Sequence, residues 1–245
     1  MQFNAGFQTD VGRKRSQNQD SGATHPDLGL FLVSDGMGGH KGGETASTTA
    51  VEVISRFVQE AQKREDWNPR EVIYDALVAA NKVIFQLSSE NPELQGMGTT
   101  TTALLFRENK LTIGHVGDSR CYFARPDGLW QLTRDHSLVQ EKLRAGLITR
   151  AAMKTDQMRN VITRSVGFEK EVNVEIFEMT VQSGDCFMIC TDGLTGLVED
   201  TVILDLIQKF LFTQGDLHES TRQLVLAANN KGGDDNITSI LVQVK

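Results

Sequence analysis

The alternation of apolar and polar positions divides the chain into short strands and long amphipathic helices. Leu28 to Ser34 is almost wholly apolar, and Thr100 to Phe106 is similar. Runs of this length, bounded by turn residues, read as strands buried on both faces. Leu111 to Val116, Arg120 to Ala124 and Leu129 to Leu132 follow, the last entered through a Pro126-Asp127-Gly128 turn. Val172 to Val181, Cys186 to Cys190 and Ile237 to Val244 complete the set. Helical spacing governs Glu44 to Arg64, where Val51, Ile54, Phe57, Val58 and Ala61 share a face. A second helix opens at Asn68-Pro69-Arg70-Glu71, a capping side chain followed by proline at the first helical position. Its apolar face runs from Val72 and Ile73 through Ala76, Leu77 and Ala80 to Ile84 and Leu87, broad enough to lie on a sheet. Two shorter amphipathic helices, near Asp200–Leu211 and Asp216–Asn229, precede the last strand. Ser137 to Arg159 is polar and helix-prone, and Asn160 to Arg164 reads as a strand returning to the core.

Strands grouped by turns and helices grouped in pairs argue against a doubly wound βαβ sheet. The pattern predicts an α+β fold of two packed, mainly antiparallel sheets flanked by helices. No linker, repeat or low-complexity tract interrupts residues 1–245, so a single domain is expected.

Composition narrows the function. Hydrophobic residues make up 39% of the 245, enough for a substantial core. A net charge of -7 with no basic stripe argues against nucleic acid, since Gly12-Arg13-Lys14-Arg15 is short and isolated. No apolar run approaches the roughly 20 residues of a membrane span, and Met1-Gln2-Phe3-Asn4 does not open like a secretory signal. Three cysteines without CxxC spacing do not suggest a disulfide framework, and a cytoplasmic protein is expected.

The candidate chemistry lies in aspartates placed where strands begin or end. Asp35-Gly36 follows Phe31-Leu32-Val33-Ser34, Asp192-Gly193 follows Ile189-Cys190-Thr191, and Asp118 follows Val116-Gly117. Asp235 opens the last strand, and Asp20 lies just before the first strongly apolar one. Singly, each is simplest as a turn. Together, carboxylates brought to one edge of packed sheets repel unless a cation or proton neutralises them. Hard divalent ions such as Mg²⁺ take oxygen ligands, and no HExxH or zinc-like cysteine spacing competes. Two such ions hydrolyse phosphate esters by activating water, and a guanidinium suits the phosphate. Arg15, five residues before Asp20, is best placed for that.

These residues resemble a known family. Thr9-Asp10-Val11-Gly12, Arg15, Asn18-Gln19-Asp20 and Asp35-Gly36-Met37-Gly38-Gly39-His40 are similar to the opening motifs of the type 2C metal-dependent protein phosphatases, in their bacterial form. Gly98-Thr99-Thr100, Gly117-Asp118-Ser119-Arg120, Leu132-Thr133 with Asp135-His136-Ser137, Cys190-Thr191-Asp192-Gly193-Leu194 and Gly232-Gly233 with Asp235-Asn236-Ile237-Thr238 continue the likeness in order. The resemblance implies a four-layer α-β-β-α sandwich and hydrolysis of phosphoserine and phosphothreonine in proteins. It implies Mg²⁺ or Mn²⁺ as cofactor: Asp35 bridging two ions, the Gly36 carbonyl on one, Asp192 and Asp235 on the second. A third ion falls to Asp118 with Asp192, Asp20 acts through ion-bound water, and Arg15 holds phosphate. Residues 135–167 correspond to a flap beside the cleft, with Arg144, Arg150, Lys154, Arg159 and Arg164 able to meet phosphoprotein substrates. A serine/threonine kinase is the implied counterpart, and a monomer is the default. Met37 stands where relatives carry a histidine proposed as general acid, which leaves His40 or ion-bound water. Gln19 stands where many relatives carry glutamate. Two rivals are a non-catalytic phosphoprotein-binding relative and a different two-metal phosphoesterase.

Overall fold

The computed structural model describes residues 1–245 apart from the side chain of His40, so the reading of His40 as a proton donor lies outside the described residues. Two antiparallel sheets form. The first orders β1 (Phe3–Asp10), β11 (Ile237–Val244), β10 (Cys186–Cys190), β7 (Arg120–Arg125) and β8 (Gly128–Gln131). The second orders β2 (Asp20–His25), β3 (Leu30–Met37), β5 (Thr101–Arg107), β6 (Lys110–Val116) and β9 (Glu175–Thr180), with β4 (Gly98–Thr99) added to β3.

Strict alternation along each strand separates three cores. Phe31 and Val33 of β3 meet Phe187 and Ile189 of β10 between the sheets, with Ile240 and Val242 of β11. Leu30 and Leu32 point the other way, into a core capped by α1 (Gly39–Ala61) and α2 (Pro69–Glu90). Met188 and Leu241 face a third core under α6 (Asp200–Ile207) and α7 (Leu217–Asn230). Helix pair, sheet, sheet and helix pair are thus stacked in the four layers expected. Among the described residues no helix is long and apolar enough to cross a membrane.

Several elements depart from the sequence pattern. β1 and β2 carry too few apolar residues to announce themselves. Both are edge strands, held by eight register pairs to β11 and six to β3. α1 begins at Gly39, well before Glu44, through a Gly42-Gly43 pair that is unfavourable to helix on propensity. Close packing explains those glycines: a Cβ on Gly43 would lie 2.7 Å from the Gly36 carbonyl oxygen, and one on Gly42 would lie 3.0 Å from the Met97 Cβ. Asn160 to Arg164 forms no strand. Ile162 bridges Ser137, but α3 (Leu138–Arg144) starts directly after Ser137 and leaves no partner to extend the ladder. α4 (Arg150–Met153) follows, and Val166 rejoins Thr99. The predicted Val172 to Val181 strand shortens to β9.

The return of this segment onto α2 depends on one buried amide. Asn81 is 1% exposed; its Oδ1 accepts from Gly167 N–H at 2.6 Å, and its Nδ2 donates to the Glu169 and Lys170 carbonyls at 3.0 and 3.1 Å. Asn81→Ala should therefore cost about 2–4 kcal/mol, because three buried backbone groups lose their partner. Thermal unfolding would register this as a melting point lower by about 5–15 °C; an unchanged midpoint would mean the return segment is held by other contacts.

Candidate active site

A cleft of 580 Å³ opens at the end of the sandwich where β3 runs into α1. Arg15, Asp35, Gly36, Asp192 and Asp235 line it. Both sheets contribute: Asp35 ends the buried run of β3, Asp192 begins α5 (Asp192–Thr195) directly after β10, and Asp235 precedes β11. Asp20, the first residue of β2, sits opposite Asp35 in the ladder. Asp118, in the turn from β6 to β7, is 8% exposed, and neither it nor Asp20 is among the residues lining the cleft.

The electrostatics bring these carboxylates together as one system. Burial, then the charges of Asp20, Asp192, Asp118 and Asp235, drives the Asp35 carboxyl well above its ordinary range. Burial also pushes Asp20 up to about 7, aided by Asp192 and Asp235 and opposed by hydroxyl hydrogen bonds. Asp118 is raised well above the usual value by burial and by Asp192, and Asp192 is raised by burial and by Asp235. Such a cluster is costly unless cations or protons neutralise it.

Cation fit can be tested on the oxygens themselves. Among the described residues, buried side-chain oxygens without a hydrogen-bond partner include Asp20 Oδ1, Asp118 Oδ1 and Asp192 Oδ1. Three orphaned carboxylate oxygens in one electrostatic cluster match hard, oxygen-seeking ions. Among the described residues no three acidic, histidine or cysteine side chains form a closed metal cage. Orphaned oxygens are the more telling of the two observations, because Mg²⁺ takes only one or two carboxylates and keeps several waters. The donor set fits.

Backbone and hydroxyl contacts that the sequence did not reveal hold the carboxylates in place. Thr100 Oγ1 accepts from Asp35 N–H at 3.0 Å and shares a hydrogen bond with Ser119 Oγ, 2.7 Å away. Thr99 Oγ1 donates to the Asp35 carbonyl at 2.8 Å. Thr191 Oγ1 donates to Asp20 Oδ2 at 2.8 Å and accepts from Thr238 N–H at 3.0 Å. These threonines stand inside the quoted motifs, but threonine is common in strands and carries no signal of its role. Two glycines allow close approach: a Cβ on Gly36 would sit 1.9 Å from the Gly43 carbonyl oxygen, and one on Gly193 would sit 1.9 Å from that of Asn236.

Arg15 reaches Asp235, Nη2 to Oδ2 at 2.7 Å, with both side chains partly in solvent. Arg120, by contrast, is half-buried; its Nε and Nη2 donate to both oxygens of Asp135, and its Nη1 donates to Tyr122 OH at 3.0 Å. Tyr122 OH in turn donates to Asp200 Oδ1 at 3.1 Å, joining the start of the 135–167 segment to α6. His115 and His136 have internal partners. His136 Nδ1 accepts from Gly117 N–H at 3.0 Å, while His115 Nε2 donates to the Arg134 carbonyl at 2.9 Å. Gln19 N–H donates to Asn236 Oδ1 at 2.8 Å, and Gln19 Nε2 to the Gly39 carbonyl at 2.7 Å. Its side chain thus ties the loop ahead of Asp20 to the first turn of α1. Met37 also lines the cleft.

Comparison with known proteins gives the family. The Serine/threonine phosphatase stp of Listeria welshimeri is 35% identical over 250 residues, spanning 98% of this chain and 96% of that relative. The serine/threonine phosphatase PstP/Ppp of Mycobacterium tuberculosis shares the fold with a TM-score of 0.91 and 30% identity, over 100% of both chains. A second PstP structure, of the catalytic domain in complex with two manganese ions, gives a TM-score of 0.88 and 31% identity over 100% of this chain and 99% of that one. A family pattern described as Protein phosphatase 2C matches residues 9–241, and the chain belongs to that family.

Proposed function

We propose that this protein hydrolyses phosphoserine and phosphothreonine in other proteins, with divalent metal ions as cofactor. The observation that carries the reading is a cleft lined by Asp35, Asp192, Asp235 and Arg15, with orphaned carboxylate oxygens on Asp192 and on the electrostatically linked Asp20 and Asp118. A non-catalytic phosphoprotein-binding role is not favoured, since the relatives bear phosphatase names and every aspartate of the pattern is present. The ordered motifs likewise speak against a phosphoesterase of another family.

In this reading Asp35, Asp192, Asp235 and the Gly36 carbonyl hold two core ions, Mg²⁺ or Mn²⁺. Asp20 acts through water, and Asp118 with Asp192 takes a third ion. When bound, the ions supply a water of lowered pKa and offset the charge of the phosphoryl group. Arg15 grips the non-reacting phosphate oxygens as a planar, permanently charged donor. Its place in the cleft lining and its pairing with Asp235 support this role, in which a phosphate takes over from that carboxylate. In the net reaction a water oxygen bonds to phosphorus, the ester P–O bond breaks, and the released serine or threonine oxygen gains a proton.

Residues 135–167 serve as the flap. Asn160 and Ile162 line the cleft, and Leu147 and Met158 are exposed in a segment that also carries Arg144, Arg150 and Arg159, a composition suited to a phosphoprotein. Such an enzyme reverses the product of a serine/threonine kinase, which makes a kinase its functional counterpart. We retain a single-domain cytoplasmic monomer, consistent with three free, buried thiols.

Four outcomes are expected. Phosphate release from a phosphothreonine peptide should require Mn²⁺ or Mg²⁺ and stop in EDTA. Asp192→Ala and Asp35→Asn should each reduce it by more than the about 10–100-fold typical of losing an outer-shell partner; near-normal turnover in a folded variant would sink the assignment. Arg15→Ala should lower kcat/KM about 10–100-fold, the worth of one charge-assisted contact, while calorimetric Mn²⁺ affinity stays close to wild type. Unchanged kcat/KM would remove Arg15 from the site. The fourth outcome concerns stability. Carboxylates raised in the folded state bind protons there that the unfolded chain has released, so chelated protein loses their stabilisation as pH rises from about 4 through 7. The melting-point gain from added Mn²⁺ should accordingly be larger at pH 7.5 than at pH 5; an equal gain at both would show that the ion does not replace those protons.

A further inference from the structure

Residues 11–19 lie outside every helix and strand, yet they carry Arg15 and lead directly to Asp20. A segment of this kind holds a side chain to a useful tolerance only if other groups fix its backbone. One side chain does so from both sides of the arginine. Asn236 is 5% exposed; its Nδ2 donates to the Val11 carbonyl and to the Gln17 carbonyl, both at 2.9 Å, and its Oδ1 accepts from Gln19 N–H at 2.8 Å. Both amide protons and the carbonyl oxygen are therefore committed to the loop, four residues before Arg15 and two and four residues after it.

A second set of contacts runs beside this clamp. Arg13 and Lys14 N–H groups donate to the Gly233 carbonyl at 2.8 and 3.2 Å, Lys14 pairs with Asp234 at 2.7 Å, and Arg15 pairs with Asp235 at 2.7 Å. Side-chain exposures of 65% and 51% for the Lys14 pair, and 50% and 37% for the Arg15 pair, place both in the solvent-screened class. Such pairs are worth about 0–1 kcal/mol, whereas an unmet buried amide partner costs about 1–3 kcal/mol. Magnitude thus ranks Asn236 above the two ion pairs in holding the loop, beside the Gly233 backbone bonds. A residue that merely closed its own turn would bond within residues 234–237; these three bonds cross 217 to 225 positions of sequence.

We propose that Asn236 is a positioning residue for the phosphate-binding arginine. It fixes the Val11–Gln19 loop against the Asp235 backbone and so sets the affinity of Arg15 for the phosphoryl group without touching that group. This deepens the phosphatase reading and rests on it.

The test combines Asn236→Ala with Arg15→Ala. Inorganic phosphate is the competitive probe, a phosphothreonine peptide the substrate, and Mn²⁺ titration of chelated protein the independent readout. Asn236→Ala should raise the phosphate inhibition constant and KM about tenfold, in the range of outer-shell losses, with Mn²⁺ affinity within about threefold of wild type. In the Arg15→Ala background the same substitution should change the inhibition constant less than about twofold, because the residue it acts through is gone. Multiplying factors, or an unchanged phosphate constant in the single variant, would overturn the proposal. Asn236→Asp keeps the acceptor for Gln19 N–H and loses both amide donors, and it makes the same comparison if the alanine variant does not fold. Failure of both to fold would overturn the proposal in favour of a purely structural role. Wild-type protein inactive with Mn²⁺ and Mg²⁺ would instead count against the phosphatase reading, while loss of phosphate affinity confined to the variant counts against neither.

Discussion

Carboxylates withdrawn from water repel one another, and the architecture is organised around holding several of them together regardless. Asp20 and Asp35 face each other across one ladder, Asp192 arrives from the other sheet, and Asp118 joins the group electrostatically. No single strand could present them all. Two sheets whose ends converge can, provided that their separation is fixed. The inter-sheet core supplies that rigidity through Phe3, Phe31, Phe106 and Phe187, with ring centroids 4.8–5.9 Å apart in tilted and edge-on contacts. Helix pairs on the outer faces then bury what remains of each sheet.

Around this repulsive centre the polar chemistry is arranged to fix main chain before side chain. Hydroxyls of Thr99, Thr100 and Thr191 hold the backbone of Asp35 and one oxygen of Asp20, and leave other carboxylate oxygens facing one another. That division matters for metal chemistry, where ligands preset by their neighbours bind without the cost of ordering. Asn236 extends the same logic to the loop that carries Arg15, and Gly36 and Gly193 let neighbouring backbones come closer than any side chain would permit.

How much of this was legible in the sequence depended on the physical signal each part carries. Strands buried on both faces could be bounded to the residue, Cys186 to Cys190 by a continuous apolar run and Ile237 to Val244 by its density of branched apolar residues. Asn68-Pro69 fixed the start of α2, and the Asn68 side chain does accept from Arg70 N–H at 2.9 Å. The edge strands escaped notice because hydrogen bonding to a neighbour, not burial, defines them; Asp-Ser-Gly-Ala-Thr-His has almost no hydrophobic pattern. Glycines at 39, 42 and 43 hid the first turns of α1, since propensity disfavours what packing there requires. For the site, aspartates beside glycine drew attention to themselves by repetition, and the family likeness assigned their roles. The threonines and the reach of Asn236 were invisible, because a hydrogen bond across two hundred residues leaves no local trace.

The three cysteines, unremarkable as packing, carry a further consequence. All are free and buried, and burial pushes the thiols of Cys186 and Cys190 up to about 12 and that of Cys121 well above its ordinary value. Peroxide and alkylating agents attack the thiolate, a form these residues do not present at neutral pH. With all three thiols sealed in the core, the chain offers no exposed cysteine for an oxidant to switch.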